Sequence, residues 1–392
     1  MKKKCLVIIP GIPFPPVDGH KLKIYNFILI LAKHFDLHII SISREDVTVE
    51  QREFMIQNSY RRKHFKIGMF GAFFRLFKSI FSTIPFQVAY FTLPSIKRYI
   101  INNGGKETHA VLNLIRTGGY LDVLADKSII LDMVDSLSRS YLKSKETTSS
   151  LVYSFIYGVE GDRLVEYEKK SIEKVDLTLC VNQDDAKNLS SYGKVKWLPN
   201  GVKESLFNYT KKCNDYNDCV AFFGAMFYQP NVDAMIWFDK YVLDHLDPKI
   251  KILIIGARPS NSILNIAKKR KNVRITGFLD DPYIILNSCF AIIAPMQNGG
   301  GIQNKIIETM GMGKVNVLTS YAADPIIGAE NNKHFIVEND PVIMAERINE
   351  VFINPSSFAN IGKNAAILIK ETYTWDAYEK TFMTQLNEIN ND

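Results

Sequence analysis

Cysteine is scarce, and several motifs that would settle a chemistry at once are missing. The five cysteines, Cys5, Cys180, Cys213, Cys219 and Cys289, are odd in number and irregularly spaced. Three fall inside apolar runs, so they read as buried thiols of a reducing compartment rather than a disulfide framework. There is no CxxC pair of the zinc kind, and the seven histidines show no metal spacing. HExxH, GKS/T and GxSxG elements are missing, which disfavours metalloproteolysis, P-loop nucleotide hydrolysis and nucleophile-elbow ester hydrolysis. No DxD pair marks a metal-held nucleotide, and Asp184-Asp185 and Asp280-Asp281 read as cap and turn residues. No stretch of about 18 apolar residues exists, so no transmembrane helix is expected. The opening, Met1 to Pro10, imitates a signal peptide only briefly; no small-residue cleavage site follows, and a strand is the better reading. The net charge of +7 suits a protein that handles phosphates or rests on an anionic membrane. It is too modest to argue for nucleic acid.

What is present is apolar and rhythmic. Hydrophobic residues make up 46% of 392 residues, enough for two domains with real cores. In the first half, apolar runs of strand length fall at residues 5–10, 37–43, 109–115, 128–134 and 177–182. The rhythm restarts at 219–224, 250–256, 273–278, 289–295, 315–320 and 334–338. Helix-length intervals such as 232–246 and 341–352 separate these runs. Runs apolar on both faces suit covered parallel strands, so two successive series imply two doubly wound α/β domains. Residues 205–218 lack periodicity after the turn signal Pro199-Asn200-Gly201. The expected division is therefore an N-terminal domain over 1–205 and a C-terminal domain over 206–374, followed by a last helix over 375–392. Ligands of such sheets bind outside the carboxyl ends of the strands, which places the active site in a cleft between the domains.

Residues 60–90 differ from the rest. Arg61, Arg62, Lys63, Lys66, Arg75 and Lys78 are interleaved with aromatics that recur at helical spacing from Met69 to Phe81. A basic amphipathic helix is the pattern of an interfacial membrane anchor, so residues 61–81 are the candidate contact with an anionic membrane surface. A helix covering the first sheet with its charges solvated is the alternative.

The strongest chemical signal is the stretch 295–313, Pro-Met-Gln-Asn-Gly-Gly-Gly-Ile-Gln-Asn-Lys-Ile-Ile-Glu-Thr-Met-Gly-Met-Gly. It follows an expected strand and opens an expected helix. Gly299, Gly300 and Gly301 let the backbone approach a ligand closely. The first helical N–H groups, around Gln303, Asn304 and Lys305, lack intrahelical partners and form a natural diphosphate site. Lys305 supplies positive charge, and Glu308, one turn further in, can accept hydrogen bonds from ribose hydroxyls. The plain alternative is a glycine-rich turn with a Lys305–Glu308 surface pair. Asp135, at the end of the 128–134 strand, suits an active-site edge or equally an N-cap. Arg139, one turn on, could meet an acceptor phosphate or pair with a surface carboxylate.

This stretch resembles the donor-binding motif of retaining GT-B glycosyltransferases of family 4, most of all the branch that transfers sugars in exopolysaccharide assembly. The resemblance continues at 222–238, similar to the opening strand, loop and helix of that family's C-terminal domain, where Gly224 sits. It continues at 254–259 with Arg258. At 273–281, Gly277 and Phe278 fall in the segment whose backbone holds the nucleotide base. Residues 13–19 resemble the N-domain loop under the donor phosphates, with Gly19 at its end. The sequence also departs from the family pattern. The family often places two glutamates eight residues apart; Glu308 matches the second, but Gly300 stands at the first. The family's diphosphate-binding Arg and Lys are matched by Ala225 and Asn231, so Arg258 and Lys305 are the expected replacements.

The resemblance implies a retaining hexosyl transfer from a nucleoside diphosphate sugar to a glycan or lipid-linked glycan in cell-surface polysaccharide biosynthesis. It implies a GT-B fold, two Rossmann-like domains facing a central cleft, with the last helix crossing back onto the first domain. No metal and no cofactor beyond the donor are expected. Asp135, Lys305 and Glu308 are the candidate catalytic residues. Gly19, Gly224, Arg258, Gly277, Phe278, Gly300, Gly301, Ile302, Gln303, Asn304, Lys305 and Glu308 are the candidate donor-binding residues. The expected location is cytoplasmic, peripheral on the inner face of the membrane, with no nucleic-acid partner. A sugar-nucleotide epimerase of the same fold and a non-catalytic nucleotide-sugar-binding scaffold remain the alternatives.

Overall fold

A computed structural model describes residues 2–16, 19–147, 151–298 and 301–390. The chain divides into two compact units, residues 1–199 with 379–392 and residues 200–378.

The first unit is built on β1 (Lys3–Ile9), β2 (Phe35–Ser43), β3 (Arg61–Lys66), β4 (His109–Asn113), β5 (Ser128–Val134), β6 (Leu177–Cys180) and β7 (Val195–Trp197). They form one seven-stranded sheet in the order β3-β2-β1-β4-β5-β6-β7. Every pairing is parallel, with Val7 between Ile39 on one side and Val111 on the other. The central strands are apolar at almost every position because helices cover both faces. Leu6, Ile8, Ile40, Leu112 and Leu131 lie in one buried cluster. Phe382, from the last helix (Trp375–Asn390), meets Phe27 edge-on at 5.1 Å.

Two strands of this sheet differ from the expectation. The basic start of the candidate membrane segment is the strand β3, paired with β2 from His38↔Arg61 to Ser43↔Lys66. This edge strand has no fully buried position, so its sequence Arg-Arg-Lys-His-Phe-Lys carries no apolar run, and its charges blunt the open edge. The aromatic helix begins only at Met69 and ends at Ile80. β7, three residues at the other edge, is likewise too short and polar to show as an apolar run.

The second unit has β8 (Cys219–Phe223), β9 (Lys251–Ile255), β10 (Val273–Gly277), β11 (Ala291–Ala294), β12 (Asn316–Leu318) and β13 (Ile336–Val337). Their order is β10-β9-β8-β11-β12-β13, all parallel. All six apolar runs of the second half are therefore strands. The chain winds outward one way from β8 and then the other way from β11. The junction of β8 and β11 is the switch point where such sheets open a crevice at the carboxyl ends of their strands.

Candidate nucleotide-sugar site

At that switch point the loop after β11 leads into the helix Asn304–Gly311. Gly301 has φ 67°, the left-handed region that favours glycine. Gln303 stands at the N-cap without capping through its side chain. The first N–H groups of this helix thus remain open donors with the positive end of the helix dipole behind them. Ile302 is buried and anchors the entry to the helix. Asn304 accepts a hydrogen bond from Asn200 Nδ2 at 3.2 Å, which fixes the first helical side chain. Gly300 lies outside the described residues.

Lys305 does not pair with Glu308. Its Nζ donates to Asn231 Oδ1 at 2.7 Å and lies 4.2 Å from the centre of the Phe222 ring. The Met296 sulfur is 3.5 Å away. Asn231 is held in turn by its own Nδ2, which donates to the Ala225 carbonyl at 2.9 Å. With neutral neighbours only, burial pulls the Lys305 pKa down to about 7. Gly224, at the end of β8, keeps this arrangement possible. A Cβ there would come within 2.8 Å of Asn231 Nδ2. Asn231 was matched to a family lysine, and the ammonium of Lys305 arrives beside it from another element.

Glu308 is buried on the same helix. Burial pushes its pKa up to about 7, partly offset by a hydrogen bond from Tyr283 and by the charge of Lys203. Tyr283 Oη donates to Glu308 Oε2 at 3.1 Å. The Tyr283 ring packs against Tyr209 and Phe223. The Tyr283 N–H donates to Asp281 Oδ1, and Tyr209 Oη donates to Asp281 Oδ2 at 2.6 Å. One chain of bonds therefore ties the loop after β10 to Glu308.

The neighbouring strand ends are knitted together. Gly224 N–H donates to Ile255, Met226 N–H to Ala257 and Gly256 N–H to Gly277, each at 3.0–3.1 Å. Arg258 follows β9 with φ 52°, an uncommon backbone state for a non-glycine residue. Its guanidinium lies 4.0 Å from the Phe227 ring centre, not on the Lys305 group. Gly277 ends β10, and Phe278 stands 71% exposed just beyond it.

Gly19 and Asp135 belong to the first unit. Gly19 opens the helix Gly19–His34; Val17 and Asp18 before it lie outside the described residues. Asp135 follows a register shift between β5 and β6, and Val134 before it has φ 69°. Such strain in a β-branched residue clusters at functional sites. Asp135 reaches solvent, yet the packing around it, with the charges of Asp185 and Asp132, pushes its pKa up to about 6 despite Lys23. Asp132 forms a buried ion pair with Lys23 and accepts from Asn113 Nδ2 at 2.9 Å. Asp135 does not cap the next helix. The Ser136 hydroxyl accepts the Arg139 N–H at 3.3 Å, which is the capping bond. Arg139 pairs with Asp185 at 2.8 Å.

Sequence reasoning passed over Asn200, Asn231 as a ligand of Lys305, and Tyr283. The aromatic after Asp280-Asp281-Pro282 was the only signal for Tyr283, and it reads locally as a turn.

The family model for glycosyl transferases group 1 matches residues 217–354. No curated protein sequence gives a significant match. Sucrose-phosphate synthase from Thermosynechococcus elongatus is similar with a TM-score of 0.71 at 13% identity, over 100% of both chains. Anabaena HepE, crystallised in complex with UDP, gives 0.65 at 13% identity, over 98% of this chain and 100% of that one. A glycosyltransferase from Rickettsia africae gives 0.66 at 14% identity, over 100% and 99%. At these identities the likeness establishes the fold. It is an α/β protein of two parallel-sheet, Rossmann-like domains, the architecture of GT-B glycosyltransferases.

Proposed function

We propose that this protein is a glycosyltransferase that moves a sugar from a nucleoside diphosphate sugar to a glycan or lipid-linked glycan, in cell-surface polysaccharide assembly. The observation that carries the reading is the Lys305–Asn231 contact beside an uncapped helix N-terminus at the β8–β11 switch point. A diphosphate is the ligand that repays a cation held without a carboxylate next to open N–H donors. Lys305, Arg258 and the N–H groups at 301–304 offset the charge that develops on the leaving diphosphate, the kind of preorganised term that dominates many catalytic sites. Glu308, oriented by Tyr283, accepts from the ribose hydroxyls. The segment around Gly277 and Phe278 holds the base, and Gly224 makes room for Asn231. Asp135, with its raised pKa, serves the acceptor side. The resemblance to family 4 supports retention at the anomeric carbon, and the donor itself is the only small molecule invoked. UDP is the first nucleotide to test, because HepE is described with it. The exposed aromatic helix supports work at the inner face of a membrane.

Thermal stabilisation by UDP, GDP, ADP and TDP, on wild type and Glu308→Ala, tests this reading. A ligand that binds only the native state raises the melting temperature. One nucleotide should stabilise the wild type and lose that effect on the variant. Silence of all four at millimolar concentration sinks the donor-site assignment.

A further inference from the structure

The helix Met69–Ile80 is turned inside out. Its inward stripe is Ala72, Arg75, Leu76 and Ser79, of which Ala72 and Ser79 are buried. Arg75 is tied inward, donating to the carbonyls of Ala89 and Tyr90 at 3.1 and 3.0 Å. The aromatic residues point the other way. Phe70 is 87% exposed and Phe81 77%, with Phe73, Phe74 and Phe77 also more than half exposed. Phe73, Phe77 and Phe81 form a ladder of rings at 6.4 and 5.5 Å. At about 150–250 Å² per aromatic side chain, these five present roughly 600 Å² of apolar surface. That is at or beyond the largest patch an ordinary monomer shows.

The surface extends beyond this helix. On the helix Leu151–Ile172, Phe155, Ile156 and Val159 are exposed. They share one stripe with Arg163, at spacings of three, four and seven or eight. Arg163 Nη2 donates to the Ile80 carbonyl at 3.0 Å, which brings that stripe to the end of the aromatic helix. The acidic neighbour Glu160 is turned inward, accepting from the Phe86 N–H at 2.6 Å.

Charge selects the occupant. Between Glu53 and Glu107 the chain carries nine lysines and arginines and not one aspartate or glutamate. Lys78 is exposed in the last turn of the aromatic helix. Lys145 lies across Gly158, its Nζ 3.2 Å from where a Cβ would stand, amid the second apolar stripe. Asp162 is the one exposed carboxylate between Phe155 and Arg163. A second copy of this chain would set the same cations against one another. Anionic headgroups over acyl chains complement both the cations and the rings.

We infer that this two-helix aromatic face seats on an anionic lipid bilayer, with the phenylalanines at the acyl boundary and Lys78 and Lys145 at the headgroups. The inference deepens the proposed function by naming the surface that brings the enzyme to a lipid-linked acceptor. It rests on that reading only for the acceptor.

The test is co-sedimentation of the full chain with phosphatidylcholine vesicles, with and without phosphatidylglycerol, for wild type, Phe70→Ser/Phe73→Ser/Phe77→Ser and Lys78→Glu. Wild type should sediment with the anionic vesicles and much less with the neutral ones. The triple variant should lose about tenfold or more in partitioning, and Lys78→Glu about fivefold or more. Light scattering is run alongside. Wild type that stays in solution with both vesicles overturns the inference. So does a wild-type dimer that the triple variant makes monomeric, because a second copy then covers the face. Melting with UDP separates the two proposals. A retained UDP response in the triple variant shows an intact fold, and vesicle binding without any UDP response sinks the donor reading alone. If the triple variant does not fold, Lys78→Glu decides.

Discussion

Lys305 and Phe70 break the same rule in opposite senses. Lys305 carries a cation into a pocket of Asn231, Met296 and Phe222, where ordinary proteins place charge only when it is paired. Phe70 carries a ring out into solvent, where ordinary proteins do not gather apolar surface. Each arrangement costs the isolated protein free energy, and each is relieved by a different partner. An unpaired cation beside open N–H groups waits for an anion of defined shape. An aromatic ladder with cations at its ends waits for a surface with little shape at all. The first kind of site is made of groups that must stay in register to within tenths of an ångström. The second needs only area and charge, which is why its sequence can be so repetitive.

The largest expected effects come from removing the buried cation. Lys305→Met should lower sugar transfer by about 10²–10³-fold, the range seen when one preorganised charge-stabilising donor is lost. It should also abolish stabilisation by nucleotide. The same substitution should raise the intrinsic melting temperature, because an ammonium desolvated without a charged partner costs the folded state free energy that an apolar chain does not. Vesicle binding should not change. A Lys305→Met protein that melts lower and still responds to nucleotide would break the comparison. A second carboxyl group extends the test to the first unit. Asp135→Asn should lower transfer by about 10²-fold and leave the nucleotide-induced melting shift as in wild type. In wild type the rate should fall as pH drops through about 6; that acidic limb should vanish in the variant. Equal losses of transfer and of nucleotide binding would place Asp135 outside the proposed acceptor role.

The pH dependence of stability is a smaller effect with a definite sign. The Lys305 pKa is lowered to about 7, so between about 7 and its ordinary value near 10.5 the unfolded chain binds more protons. Stability contributed by this group therefore rises with pH over that window and is lost as pH falls through about 7. The Glu308 pKa is raised from 4.5 to about 7, so there the folded chain binds more protons. Its contribution is full at low pH and is lost as pH rises from about 4.5 to 7. Together they predict a shallow dip in melting temperature near pH 7 that Lys305→Met/Glu308→Gln removes. A flat difference between the two proteins from pH 5 to 9 would show that neither group is held as described.

What could be read from the sequence divides along the same line. Strands covered on both faces announce themselves as apolar runs, so all six of the second sheet and five of the first were legible. β3 and β7 were not, because β3 is polar and partly or wholly exposed at every position and β7 is only three half-buried residues. The aromatic helix was legible as a periodicity from Met69 on, but not the inward turn of Arg75, nor the partner stripe at Phe155. Those depend on which chain segments become neighbours. Within the donor site, Lys305 and Glu308 stood out because a glycine-rich loop opening a helix is a local pattern. That Lys305 would seek Asn231, 74 positions earlier, and leave Glu308 to Tyr283 is a fact of the sheet order. It follows from β8 and β11 being adjacent, which no local pattern states.

The finest test of the buried site is Tyr283→Phe, which removes one hydroxyl and keeps the ring between Tyr209 and Phe223. A hydrogen bond to a charged group is worth about 1.5–3 kcal/mol, so the loss in nucleotide affinity should be about tenfold or more. The sharper readout is discrimination. Wild type should bind UDP more tightly than 2′-deoxy-UDP or 3′-deoxy-UDP, because Glu308 is aimed at the ribose by Tyr283 Oη at 3.1 Å. With the aim removed, Glu308 loses its fixed rotamer and the bond that favours its charged form, and the preference for the ribose hydroxyl should narrow toward unity while KM rises more than kcat falls. A merely structural tyrosine would lower stability and leave the ratio of UDP to deoxy-UDP affinity where it was.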